Sequence, residues 1–191
     1  METNKKGRNA VVRMCRIAVM AALLCVASPW SIPIGPIPIS LATFAVYLIG
    51  VVLGCVDGTI AVAIYLLLGA VGVPVFTGFA GGVQKLIGAT GGYLVGYLPC
   101  VAIVGAVSDW KPGKYLWLIL SMIGGTLLLY ALGTAWFMFQ SGRSLVDSLG
   151  LCVLPFLPGD AAKITVAVLA GVPLRRVTDK LLHRPAAQPK N

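Results

Sequence analysis

Residues 60 to 72 contain no charged side chain and no alternation of apolar with polar residues, and similar runs recur along the chain. Such runs are at home in a bilayer. Inside lipid every backbone amide has to be paired within the protein, which leaves helices and closed barrels as the spanning structures. Barrel strands would alternate apolar and polar residues over segments of about ten; these runs do not, so an all-α membrane fold is expected. Charged residues make up only 11% of the 191 residues, against about 25% in soluble domains. One helical crossing takes about 20 residues, so six crossings use most of the chain and leave no room for a separate soluble domain.

Charge placement orients the bundle. Ten of the fifteen Lys and Arg residues lie at the two ends: Lys5, Lys6, Arg8, Arg13 and Arg16 at one, Arg175, Arg176, Lys180, Arg184 and Lys190 at the other. By the positive-inside rule both termini face the cytoplasm, which requires an even number of crossings. The same placement accounts for the net charge of +9 without a nucleic-acid partner. The expected spans are residues 12–27, 39–56, 59–71, 90–107, 115–139 and 158–182. They form a single six-helix domain over 1–184, followed by a disordered tail at 185–191. Pro29, Pro33, Pro36 and Pro38 end the first span, Asp57-Gly58 turns the second into the third, and the glycine-rich stretch 72–88 folds back over the protein. A short amphipathic piece is expected near 144–151. The first span has the basic flank and length of a signal peptide, but no compact small-residue cleavage site follows it, so it is read as retained. Cys15, Cys25, Cys55, Cys100 and Cys152 are scattered without metal or redox spacing and read as small core residues.

Asp160 and Lys163 stand out, because charges inside a spanning segment are costly and tend to be functional. Three residues apart, they share a helix face. If the last span begins at Pro158, both occupy its first turns, where free amides favour anionic groups. The rigid apolar stretch 154–159 beside them suits a water-poor pocket; the alternative is a neutralised pair that stabilises the bundle. Gly50, Gly54 and Gly58, then Gly88, Gly92 and Gly96, recur every four residues and suit close helix contact. Ala18 and Ala22 make a small face on the first span, facing either this chain or another. Nucleotide-hydrolysing G-x-x-x-x-G-K-[ST], zinc-binding H-E-x-x-H and nucleophile-elbow G-x-S-x-G motifs are absent from the sequence. The one histidine, His183, sits in a basic tail. No catalytic residue, metal or cofactor is therefore expected, and an intramembrane enzyme built on Asp160 is disfavoured.

Four motifs carry a family likeness. Gly35-Pro36-Ile37-Pro38-Ile39-Ser40-Leu41-Ala42-Thr43-Phe44, Tyr65-Leu66-Leu67-Leu68-Gly69-Ala70-Val71-Gly72-Val73-Pro74-Val75-Phe76, Gly88-Ala89-Thr90-Gly91-Gly92-Tyr93-Leu94 and Leu154-Pro155-Phe156-Leu157-Pro158-Gly159-Asp160-Ala161-Ala162-Lys163 occur in order and resemble the BioY family of biotin-specific S components. The resemblance implies a six-helix subunit of an energy-coupling-factor importer in a bacterial plasma membrane. It would capture biotin outside and work with a membrane coupling protein and two cytoplasmic ATPases. Asp160 would accept the ureido N–H groups and Lys163 would serve the ureido carbonyl. Tyr93, Phe76 and Phe44 would enclose the bicyclic ring, Gly91 and Gly92 would let backbone approach beside Thr90, and Gln84, Lys85, loop amides or Lys163 would meet the carboxylate. Similar S components present an Ala-x-x-x-Ala face to the coupling protein, which Ala18 and Ala22 match. An S component for another vitamin, or a carrier working alone, is the alternative.

Overall fold

The computed structural model describes residues 2–32 and 38–183. Its elements are α1 (Glu2–Ala27), the two-residue strands β1 (Ser31–Ile32) and β2 (Ile39–Ser40), α2 (Ala42–Ala70), α3 (Val83–Ile87), α4 (Gly91–Trp110), α5 (Tyr115–Ser141), α6 (Leu145–Cys152) and α7 (Leu157–His183). Five helices are long and apolar enough to cross a membrane, over Asn9–Ala27, Ala42–Ala70, Gly91–Trp110, Tyr115–Ser141 and Leu157–Lys180. The fold is helical, apart from the β1–β2 hairpin that closes the proline-rich connection. The tail at 184–191 and part of the first family motif, 35–37, lie outside the described residues.

The expected spans 39–56 and 59–71 fall together in α2, and the turn between them is not where the sequence suggested. Asp57 and Gly58 are helical; the break is at Gly54, with φ +81° and ψ −170°. Such a backbone is open to glycine and costly for residues with a Cβ. The chain doubles back there. A Cβ on Gly58 would lie 3.5 Å from the Ile49 carbonyl oxygen, whereas residues nine apart in one straight helix rise about 13.5 Å. Both ends of α2 also meet the same connection: Leu41 N–H donates to Trp30 O at 3.4 Å, and beyond the far end Gly78 N–H donates to Pro29 O at 3.0 Å.

A break inside an apolar span leaves carbonyls and amides without helical partners, and side chains of three other helices satisfy them. Ser108 and Arg175 donate to Val51 O at 2.9 and 3.1 Å, Arg16 donates to Val52 O at 2.9 Å, and Asp109 accepts from Cys55 N–H at 2.9 Å. Arg175 also pairs with Asp109 at 2.8 Å, Arg16 with Asp179 at 3.4 Å, and Arg13 with Asp57. The middle of α1 and the C-terminal end of α7 are thereby joined at the Gly54 end of the bundle.

Glycine lets α2 and α4 touch along their length. Cβ atoms at Gly50, Gly58 and Gly105 would fall 2.9 Å from Val104, 3.2 Å from Val101 and 2.5 Å from the backbone at Cys55. On the outside, Val19, Val26, Leu67, Leu127 and Phe139 are each more than 60% exposed, which suits a surface bathed in acyl chains rather than water. Of the cysteines whose side chains are described, Cys100 is buried and Cys15 is exposed, so the latter is not a core residue. Ala21 is buried and Ala18 and Ala22 are exposed. The small face of α1 therefore points away from its own bundle.

Candidate functional site

At the end of the bundle away from Gly54, the start of α7 faces α2, α4, α5 and the loop that contains Thr77. Together they bound a cavity of about 530 Å³ of empty space, open on one side. Its walls include Leu94, Leu129 and Phe156, and its polar groups include Ser40, Thr43, Thr90, Tyr93, Tyr97, Tyr130, Asp160 and Lys163.

Asp160 and Lys163 sit one above the other on α7 and join at 3.1 Å, with side chains 7% and 12% exposed. Burial of that order makes an unpaired charge expensive, and each partner is held further from across the bundle. Lys163 Nζ donates to Thr43 Oγ1 of α2 at 3.0 Å, and Tyr130 of α5 donates its hydroxyl hydrogen to Asp160 Oδ2. Three elements, α2, α5 and α7, converge on the ion pair. An ionised carboxylate has about four acceptor positions and an ammonium three donors; the two inter-side-chain bonds on each leave about two acceptor positions and one donor for a ligand. The Asp160 N–H is not among the free groups, because it donates to Phe156 O at 2.8 Å.

The remaining residues singled out in the sequence are distributed unevenly. Thr90 and Tyr93 line the cavity with Asp160 and Lys163. Gly91 and Gly92 are packing positions on α4: a Cβ would lie 1.7 Å from Leu86 O at the first and 2.4 Å from Trp136 at the second. Phe76 is fully buried, edge-on to Tyr65 with ring centres 5.5 Å apart. Phe44 packs half-buried against the core, and Gln84 is exposed on α3. None of these five borders the cavity. Tyr130, Tyr97, Thr43 and Ser40 do, although nothing in the sequence singles them out. Tyr130 precedes Asp160 by thirty positions in a helix with no local motif, so only the packing of α5 on α7 reveals it.

An apolar helical bundle enclosing a buried paired donor and acceptor in the wall of a small cavity has the features of a solute-binding membrane protein of a transport system. The comparisons with known proteins are specific. The model of the BioY family matches residues 1–180, and the chain belongs to that family. It is 36% identical over 165 residues to "Biotin transporter BioY" of Thermotoga maritima, covering 86% of this chain and 96% of that one. It is 35% identical over 164 residues to "Biotin transporter BioY2" of Lactococcus lactis, covering 84% and 88%. The crystal structure of the S-component for biotin from an ECF-type ABC transporter matches with a TM-score of 0.82 and 30% identity, over 87% of this chain and 92% of that one. This is a membrane transport protein rather than an enzyme.

Proposed function

We propose that the chain is the high-affinity biotin-binding S component of an energy-coupling-factor importer. The observation that carries this is the buried Asp160–Lys163 pair, held by Tyr130 and Thr43 in the cavity, in a chain whose relatives are named biotin transporters. The ureido ring of biotin offers two N–H donors and one carbonyl acceptor, and a site that leaves such groups unpaired loses affinity. Asp160 has acceptor capacity left for the donors, and Lys163 has one N–H for the carbonyl. Thr90 and Tyr93, with Phe156, would close over the bicyclic ring. Titration of the purified protein with biotin, thiamine and riboflavin tests the assignment: tight binding of biotin alone is expected, and preference for either of the others would make this an S component for another vitamin.

The two halves of α2 count as separate crossings in this reading, which gives six and returns both termini to the cytoplasm of a bacterial plasma membrane. The ion pair between Arg16 and Asp179, which ties the middle of α1 to the cytoplasmic end of α7 in this reading, supports it. In a background without other cysteines, Lys180→Cys is expected to react with an impermeant maleimide only after cells are permeabilised. Reaction in intact cells would reverse the topology.

The outward direction of Ala18 and Ala22 supports docking of a membrane coupling protein on α1, with two cytoplasmic ATPases completing the importer. Small side chains there would let a partner helix approach closely. Ala18→Trp with Ala22→Trp is expected to abolish copurification of the coupling protein while biotin affinity stays within about threefold, a difference under about 0.7 kcal/mol. Normal copurification would remove the partner from this face. Uptake by the chain without any coupling protein would establish a carrier that works alone.

A further inference from the structure

We propose that a second cavity, at the Gly54 end of the bundle, binds the headgroup of an anionic phospholipid. Val51, Leu118, Val172, Arg175, Arg176 and Asp179 line a cavity there of about 120 Å³, open on one side, between α2, the α4–α5 turn and α7. Its depth is apolar at Val51, Leu118 and Val172, and its rim is basic. Arg16 and Arg175 are used by the network around the helix break, where they take up both carboxylates, Asp109 and Asp179. Arg176 is not used: among the described residues it forms no hydrogen bond or ion pair, and it is exposed beside the turn, its guanidinium 3.6 Å from a Cβ position on Gly113. Lys111 and Lys114 flank the same turn, Lys111 stacked on Trp110 at 4.5 Å and Lys114 exposed.

Depth in the membrane fits a lipid rather than a soluble anion. Trp110 and Trp117 meet edge to face at 5.7 Å beside the turn and are 65% and 42% exposed, as indoles at the headgroup level are. A pocket there offers an apolar wall to the glycerol and upper acyl carbons and unneutralised cations to the phosphate. Basic pockets between transmembrane helices bind anionic headgroups on this physical basis. The inference does not depend on what occupies the Asp160 cavity.

Native mass spectrometry of the delipidated protein tests it with phosphatidylglycerol, phosphatidylcholine of the same chains, and inorganic phosphate. One phosphatidylglycerol molecule should be retained at least about tenfold more strongly than phosphatidylcholine. Arg176→Gln with Lys114→Gln should weaken it by about tenfold to thirtyfold, and Lys85→Gln, at the other end, should leave it unchanged. Equal retention of the two lipids overturns the proposal, as does a double variant that is folded by thermal midpoint and keeps full preference. Phosphate binding as tight as the lipid's assigns the cavity to a soluble anion. Loss of copurified protein partners in the double variant, without any lipid preference in wild type, makes the face a protein interface.

Discussion

Asp160→Asn lowers biotin affinity by about two to four decades in a titration of detergent-purified protein. In the proposed binding mode, asparagine keeps the shape and one acceptor but turns the other acceptor into a donor facing the ureido N–H groups. It also leaves Lys163 charged, 12% exposed and without its counter-ion. Losing one member of a buried pair costs about 3–5 kcal/mol, which is the stated loss in affinity when that cost appears in the bound state. Tyr130→Phe grades the effect. It removes one hydrogen bond to the carboxylate and keeps the charge, so a loss of about tenfold to a hundredfold is expected from bonds of about 1.5–3 kcal/mol to ionised groups. If folded Asp160→Asn bound biotin within about threefold of wild type, the pair would be a structural brace and the ligand would sit elsewhere.

Gly54→Ala destabilises the fold by about 3 kcal/mol or more, read as a lower thermal midpoint and a smaller monodisperse fraction in detergent. Two causes add. The φ of +81° is a strained conformation for alanine, worth about 1–3 kcal/mol. The added methyl would also stand 2.3 Å from Asp109 Oδ1, displacing the carboxylate that accepts from Cys55 N–H and pairs with Arg175. Each hydrogen bond lost at such a place costs about another 1 kcal/mol. Gly142→Ala is the control: its φ is also positive, at +64°, but nothing lies within 4 Å of the new methyl, so only the backbone cost of about 1–2 kcal/mol applies. Equal midpoints for the two variants would mean that the Asp109 clamp contributes nothing to stability.

The turn inside α2 illustrates the limit of a linear reading. Asp57-Gly58 has the composition of a turn, yet Gly54 makes it, because Asp109 and Arg175 from distant helices satisfy the groups exposed there and nowhere nearby. Residues that act through a remote neighbour behave likewise. Asp160 and Lys163 were legible because a charge in lipid is costly wherever the bundle puts it, and their spacing alone sets them on one helix face. Tyr130, Tyr97 and Thr43 are ordinary residues for a spanning helix and acquire a role only through what they oppose. Phe76 looked available in a glycine-rich loop; tertiary packing turned it inward onto Tyr65 and the gap over Gly69.

By itself, the sequence determined that the chain is a helical membrane protein, which ends of it are basic, that an acid–base pair lies within its last span, and which family it resembles. Each follows from solvation cost or from residues adjacent in the chain. The tertiary structure decided where α2 reverses, that Ala18 and Ala22 look outward, and which of the candidate residues share a cavity. Those depend on contacts between segments tens of residues apart, for which periodicity and spacing hold no record.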